Sequence, residues 1–115
     1  MVEDNHLVGA TDEPAFENSW ANYASVDSPA RFYKDPYSRV HISGQIDSGA
    51  SGTDAFTLPV GYRPEKQSRF MVDATAGGVA GDFAEVVIGA DGTVNCSFSG
   101  VGLTFLVLDG ISFRV

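Results

Sequence analysis

Glycine constrains the fold of this chain more than any other residue. Thirteen glycines are spread through 115 residues, and beyond the first residues no stretch keeps the apolar i, i+3, i+4 spacing long enough for a helix of about three turns. The periodicity that does occur has a step of two. In "RVHISGQI", residues 39–46, Val40, Ile42 and Ile46 alternate with Arg39, His41 and Gln45, and Gly44 falls on the apolar side. In "RFMVDA", Phe70, Val72 and Ala74 take one side and Arg69, Met71 and Asp73 the other. Such alternation is that of strands with one wet face, so the chain reads as all-β.

Turn chemistry supplies the boundaries. "KDPYS", "SGASGT", "TAGGVAGD", "GADGT", "SGVG" and "LDG" separate the alternating segments, and the Asp-Gly pairs are hairpin signals because glycine accepts the positive φ of tight turns. The segments between them are about nine short strands, over 15–24, 30–34, 39–47, 55–58, 68–75, 83–89, 93–98, 102–108 and 111–115, the regular spacing of an antiparallel β-sandwich or barrel. "LTFLVL", residues 103–108, is almost continuously apolar and calls for cover on both faces, from a second sheet or a partner subunit.

The length suits one domain. With 43% hydrophobic residues, eight Phe, four Tyr and one Trp, the chain can fill a core. The polar, acidic start "MVEDNHLVGATDEP" reads as a linker or the stub of a shaft, 1–14, with the packed head over 15–115 beginning near Phe16. A net charge of −8 argues against nucleic acid and against an anionic membrane surface. No apolar run reaches the roughly 18 residues of a membrane helix.

The chemistry-bearing residues form no recognisable catalytic pattern. His6 lies on the start segment and His41 on a wet strand face, with no second ligand at a metal-clamping distance in sequence. Cys96, the single cysteine, lies in an apolar strand and reads as a buried, inert thiol. No cofactor is implied. The aspartates sit mostly in turns, where their side chains bond the backbone two residues on. Trp20 shares a strand face with Phe16 and two amides, and serves either as a buried anchor or as a sugar-stacking platform. In "AFTLPVGYRPEKQSRF", residues 55–70, Pro59 and Pro64 bracket a corner in which Tyr62 covers the edge of the sandwich with its hydroxyl in water and Arg63 pairs with an aspartate.

Five blocks in order, "FENSWANY", "ARFYKDPYSRVHISGQIDSG", "GTDAFTLPVGYRPEKQSRF", "VVIGADGTV" and "LDGISFRV", resemble the carboxy-terminal receptor-binding head, or knob, of bacteriophage tail-fibre and tail structural proteins. Ser38 stands where many of those proteins carry glycine. The resemblance spans 15–115 and implies a jelly-roll or knob-type β-sandwich, a homotrimer in the virion tail, attachment to other tail proteins through the N-terminus, and adhesion to a bacterial cell-surface glycan without catalysis. A purely structural cap or trimerisation domain is the alternative, and a glycan-degrading tail enzyme a distant third.

If strands alternate between the two ends of a sandwich, "DPYS", "VGYRPEKQ", "GADGT" and "LDG" share the N-terminal end. "SVDSP", "SGASGT", "TAGGVAGD" and "SFSGVG" then gather at the far end. With the N-terminus on a shaft, the far end meets the host, and Asp27, Ser28, Asp54, Asp82, Ser97 and Ser99 are the expected glycan contacts there.

Overall fold

The alternating segments do form strands, and the places where they stop are set by residues that leave the extended region. A computed structural model of the chain describes residues 3–23, 28–76, 79–98 and 103–115, with the side chains of 76, 79–82 and 103 left out of the description. Among these residues there are eleven strands and no helix: β1 His6–Leu7, β2 Ala21–Asn22, β3 Arg31–Lys34, β4 Arg39–Ser43, β5 Gln45–Asp47, β6 Thr53–Thr57, β7 Ser68–Ala76, β8 Val79–Ile88, β9 Thr93–Phe98, β10 Leu103–Val107 and β11 Ile111–Arg114. They build an antiparallel β-sandwich of a four-stranded sheet, β1-β3-β4-β11, and a seven-stranded sheet, β2-β5-β10-β7-β8-β9-β6. Phe32, Val40, Ile42, Ile111 and Phe113 of the small sheet meet Ile46, Val86, Ile88, Val94 and Leu106 of the large one in the core.

The 39–47 segment is one strand in sequence and two in space. Gly44 has a φ of 119°, open to glycine and strained for other residues, and there the chain passes from the small sheet to the large one. A Cβ at that position would lie 2.5 Å from both Ala30 Cα and the Pro29 carbonyl oxygen, so the close approach of the neighbouring strand also demands glycine. The same bend recurs on both flanks. β10 runs antiparallel to β5 (Val107↔Gln45) and β11 antiparallel to β4 (Ile111↔Ile42). Between them Leu108 N donates to Gly44 O at 2.7 Å and Gly44 N donates to Asp109 Oδ1 at 2.9 Å. On the other flank β2 pairs with β5 and β3 with β4, while Tyr23 and Ser28 both bond the Gln45 backbone. Three adjacent chain segments thus turn a sheet corner together, the bent-strand solution of sandwich packing.

These corners correct the expected alternation of ends. "LDG" does not reverse the chain. It lies at the Gly44 corner, where the strand on either side continues in the same sense, so it belongs to no end of the sandwich. Of "SVDSP" only Ser28 and Pro29 are described, and both lie at the same corner, with Gln45 N donating to Ser28 O. The C-terminus is affected too: nine reversing strands place it at the far end, whereas Val115 N donates to Ser38 O in the "DPYS" turn. Where other loops meet among the described residues, they keep their expected company. Lys34 beside "DPYS" donates to Gly61 O, and Leu58 N donates to Gly92 O, joining "DPYS", "VGYRP" and "GADGT" at one end. Ser51 of "SGASGT" bonds the Phe98 backbone at the other.

The start of the chain differs from the linker expected of it. His6 and Leu7 pair with Phe32 and Arg31 of β3, and Val8 is buried at 3% exposure. The packed unit therefore takes in residues ahead of Phe16, because His6 and Val8 have apolar cover waiting for them beside β3. The expected strand over 15–24 contracts to Ala21–Asn22. Asn18 and Ser19 adopt φ values of 54° and 67°, which break extension, and Trp20 turns into the core at 2% exposure.

Candidate binding face

The outer surface of the seven-stranded sheet is where alternating wet positions from four neighbouring strands come together. Register fixes the rows. Arg69 pairs with Val87, Val87 with Asn95, and Asn95 with Asp54, giving one row across β7, β8, β9 and β6. The next row is Met71, Glu85 and Ser97, and the third joins Asp73 to Phe83. Directly opposed residues share a face, so the nine residues form one surface while Val72, Ala84, Val86 and Cys96 between them point into the core.

Two adjoining clefts lie on this surface. One, of about 390 Å³, is lined by Asp54, Arg69, Glu85, Asn95 and Ser97 among others. The other, of about 310 Å³, is lined by Met71, Phe83, Phe98 and Ala84, and shares Glu85 and Ser97 with the first. In the polar cleft Asn95 Nδ2 donates to Asp54 Oδ1 and to Gly52 O, each at 3.0 Å, and Arg69 bonds Glu85 Oε1 at 3.0 Å. The Ser97 hydroxyl makes no hydrogen bond within the described residues. In the apolar cleft Met71 is 70% and Phe83 57% exposed, unusual for large apolar side chains on a strand face and a signature of contact surfaces.

Of the residues expected to meet a glycan, Asp54 and Ser97 meet here, on a sheet face rather than on a loop end. Ser28 lies at the Gly44 corner, its carbonyl accepting from Gln45 N at 2.9 Å. Asp27 and Ser99 lie outside the described residues. Asp82 stands opposite Ala74 in the β7–β8 ladder, and its side chain is outside the description. Trp20 offers no stacking platform in this chain: Nε1 donates to Thr53 Oγ1 at 2.9 Å, the ring meets Phe98 edge-on at 6.2 Å, and Gly49 backs directly onto the indole. Sequence reasoning missed Glu85, Asn95, Met71 and Phe83 as a group, because they come together only through the β7-β8-β9 register. Met71 alone carried a signal, as an apolar residue on the side of its strand shared with Arg69 and Asp73.

The other polar groups are occupied structurally. Tyr62, expected to leave its hydroxyl in water, donates to Glu3 at 2.8 Å and lies 3.1 Å from His6 Nε2. His6 is held between Glu13 on Nδ1 at 2.9 Å and Glu3 on Nε2 at 2.7 Å, with its ring stacked on Phe32 at 5.1 Å. Burial alone pushes the imidazole pKa down, but the hydrogen bonds and charges of Glu13 and Glu3 outweigh it and raise His6 above 6.5. Burial, and then the bond to Glu3, push Tyr62 up to about 12. Arg63 donates to Leu58 O at 2.8 Å, closing the "LPVGYR" corner on itself, and its charge still reaches an aspartate: Asp91 is held below its usual carboxyl value chiefly by hydrogen bonds from Thr93, with Arg63 adding to the effect. His41 bonds Asp35 Oδ2 at 2.8 Å and stacks on Tyr33, and this bond, with those from the Arg39 and Tyr37 backbone, holds Asp35 below its usual carboxyl value. Cys96 is fully buried, and burial raises its thiol to about 12.

No family model and no curated protein matches this chain. Among solved structures it is similar to the receptor binding protein gp15 of Listeria phage PSA, with a TM-score of 0.70 and 19% sequence identity. The match covers 98% of this chain and 64% of that one, so the chain spans a little under two thirds of the length of its neighbour. The shared property is the fold: an antiparallel β-sandwich of the kind found in a phage receptor-binding protein.

Proposed function

We propose that this chain is the receptor-binding domain of a phage tail protein, which adheres to a saccharide on the bacterial host surface without catalysing its breakdown. The observation that carries the reading is the likeness of fold over 98% of the chain to a phage receptor binding protein. The open face of β7, β8, β9 and β6 supports it, since it joins hydrogen-bonding groups to exposed apolar ones on a rigid sheet. The non-enzymatic reading is supported by the residues most suited to catalysis: Cys96 is buried, and both histidines are engaged by carboxylates.

Within this proposal the virion form is a homotrimer whose N-terminal segment leads towards other tail proteins. Phe105 and Val107 of β10 are only half-buried in a single chain, with the Tyr23 ring tilted against Phe105 at 4.8 Å. A neighbouring subunit laid on that part of the sheet would complete their cover. The same half-covered strand favours a second reading, a structural cap that assembles without binding a receptor. The two part company in one experiment: the purified, fluorescently labelled chain is sized by sedimentation and applied to a panel of bacterial strains that includes Listeria. Saturable adsorption to some strains, lost after removal of wall glycan, is expected. A trimer that adsorbs to none supports the cap, and adsorption unchanged by glycan removal overturns the saccharide.

A further inference from the structure

The two clefts on the outer sheet face differ in chemistry, and their difference restricts what fits across them. In the polar cleft most free capacity is acceptor capacity. Both Nδ2 hydrogens of Asn95 are used, by Asp54 and Gly52, which leaves its Oδ1 as an acceptor. Asp54 and Glu85 each accept one bond and retain further lone pairs. Two carboxylates, Asp54 and Glu85, thus share the polar cleft with a single cation, Arg69, already bonded to Glu85, and Asp73 lies two rows further along the same face. The chain as a whole carries −8. Such a surface suits hydroxyl and amide N–H donors and repels an anion, which brings only acceptors and negative charge.

In the adjoining cleft Met71, Phe83 and Phe98 present apolar surface within one strand spacing of those acceptors, at the shared residues Glu85 and Ser97. A ligand covering both clefts has a polyol edge and, next to it, a carbon substituent without charge. Resting on the receptor-binding reading above, we propose that this face selects a neutral sugar bearing a methyl-containing substituent such as an acetamido group, and discriminates against phosphate-bearing units of a surface polymer. The polar row binds the ring hydroxyls. The Met71–Phe83–Phe98 surface takes the methyl group, and burial of one such carbon is expected to tighten binding about fourfold.

The test uses the intact chain and three soluble probes in both the gluco and galacto series: the hexose, its 2-acetamido derivative and its 6-phosphate. Trp20, the only tryptophan, touches Phe98 from beneath the cleft and reports occupancy by fluorescence, and backbone amide shifts locate it. In at least one series the acetamido sugar is expected to bind about fourfold or more tighter than the hexose, and the phosphate more weakly than the hexose, with the phosphate penalty shrinking as salt screens the carboxylates. Phe83→Ala lowers affinity for the acetamido sugar more than for the hexose and so removes the acetamido advantage, and Ser97→Ala weakens all three probes. Should Phe83→Ala fail to fold, Met71→Ser on the exposed rim makes the same comparison.

A phosphate sugar that binds as tightly as the parent hexose overturns the proposal, as does an acetamido advantage that survives both Phe83→Ala and Met71→Ser. So does the absence of any shift in β7–β9 with every probe. If the chain self-associates and Met71→Glu separates the copies, the face belongs to a second copy and the proposal fails. Each of these results leaves cell adsorption to be scored separately: strains that bind the chain while the probes do not preserve the receptor-binding reading and remove only the specificity.

Discussion

Gly49 is the position at which one added carbon does most harm without touching backbone preference, since its φ is not in the left-handed region. A Cβ there would fall inside the Trp20 indole, against Cε2, Cδ2 and Nε1, so Gly49→Ala must displace either the loop or the ring. Displacing the ring breaks the Trp20–Thr53 bond, worth about 1 kcal/mol, and the edge contact with Phe98, worth about 1 kcal/mol beyond area. Forcing the loop outward instead carries an overpacking strain of about 1–3 kcal/mol. Either route predicts a loss of about 2 kcal/mol, seen as a fall in melting temperature on the order of 10 °C for a domain of this size. Trp20 reports its own displacement: native emission should shift to the red in Gly49→Ala, and the urea midpoint should fall with the slope unchanged. The diagnostic variant is the double mutant. Trp20→Ala alone costs about 3–5 kcal/mol, and adding Gly49→Ala to it should cost almost nothing, because the atoms that clashed are gone. Additive losses, or a Gly49→Ala protein with native emission and an unchanged midpoint, would refute the reasoning.

At Gly44, alanine meets both a φ of 119° and backbone atoms of residues 29 and 30 at 2.5 Å. Gly44→Ala should therefore destabilise by about 3 kcal/mol, and hydrogen exchange should show the loss first at Leu108, whose N–H bonds the Gly44 carbonyl. Ser38 holds a φ of 64°, so Ser38→Gly should remove left-handed strain of about 1 kcal/mol and give back part of it as chain entropy, for a net gain of about 0.5 kcal/mol in thermal unfolding. His6 has a raised pKa, so its contribution is complete below 6.5 and disappears as pH rises through the higher folded value. Glu3 has a lowered pKa, so its contribution is present above 4.5 and disappears as pH falls through the lower folded value. The gap in stability between wild type and His6→Gln should accordingly be widest between those two pH values, under about 1 kcal/mol for so exposed a cluster, and should narrow on the alkaline side. A gap that grows as pH rises above 6.5 would contradict the sign.

How much of this was legible beforehand depended on the range of the interaction. Alternation in 39–47 and 68–75 identified strands to within a residue or so, since wet and dry sides are written locally in each segment. "DPYS" was placed correctly as a turn, and Ser38 takes the left-handed geometry that a glycine there would supply. The Asp-Gly pair at 109–110 misled, because an aspartate followed by glycine marks a change in direction without saying whether the chain reverses or turns a corner. What decides is the partner: Asp109 caps Gly44 N across 65 residues, a distance no local pattern reports. The start segment misled for a related reason. His6, Glu3 and Glu13 look like a solvated acidic tail in sequence, and become a clasp only because Tyr62 and Phe32 arrive beside them.

The binding face shows the same division at its sharpest. Asp54 and Ser97 were chosen as neighbours because of a shared loop end, and they are neighbours on the sheet face as well: β6 and β8 flank β9, so the two residues line one cleft. The better guide lay inside the alternation. On a strand whose wet side carries Arg69 and Asp73, a methionine between them is 70% exposed, and Phe83, directly opposite Asp73 in the ladder, is 57% exposed on the next strand. A core explains apolar residues on the dry side and solubility explains charges on the wet side. Two exposed large apolar side chains on adjacent wet strands follow from neither rule, and it is on their exposure that the proposed receptor contact rests.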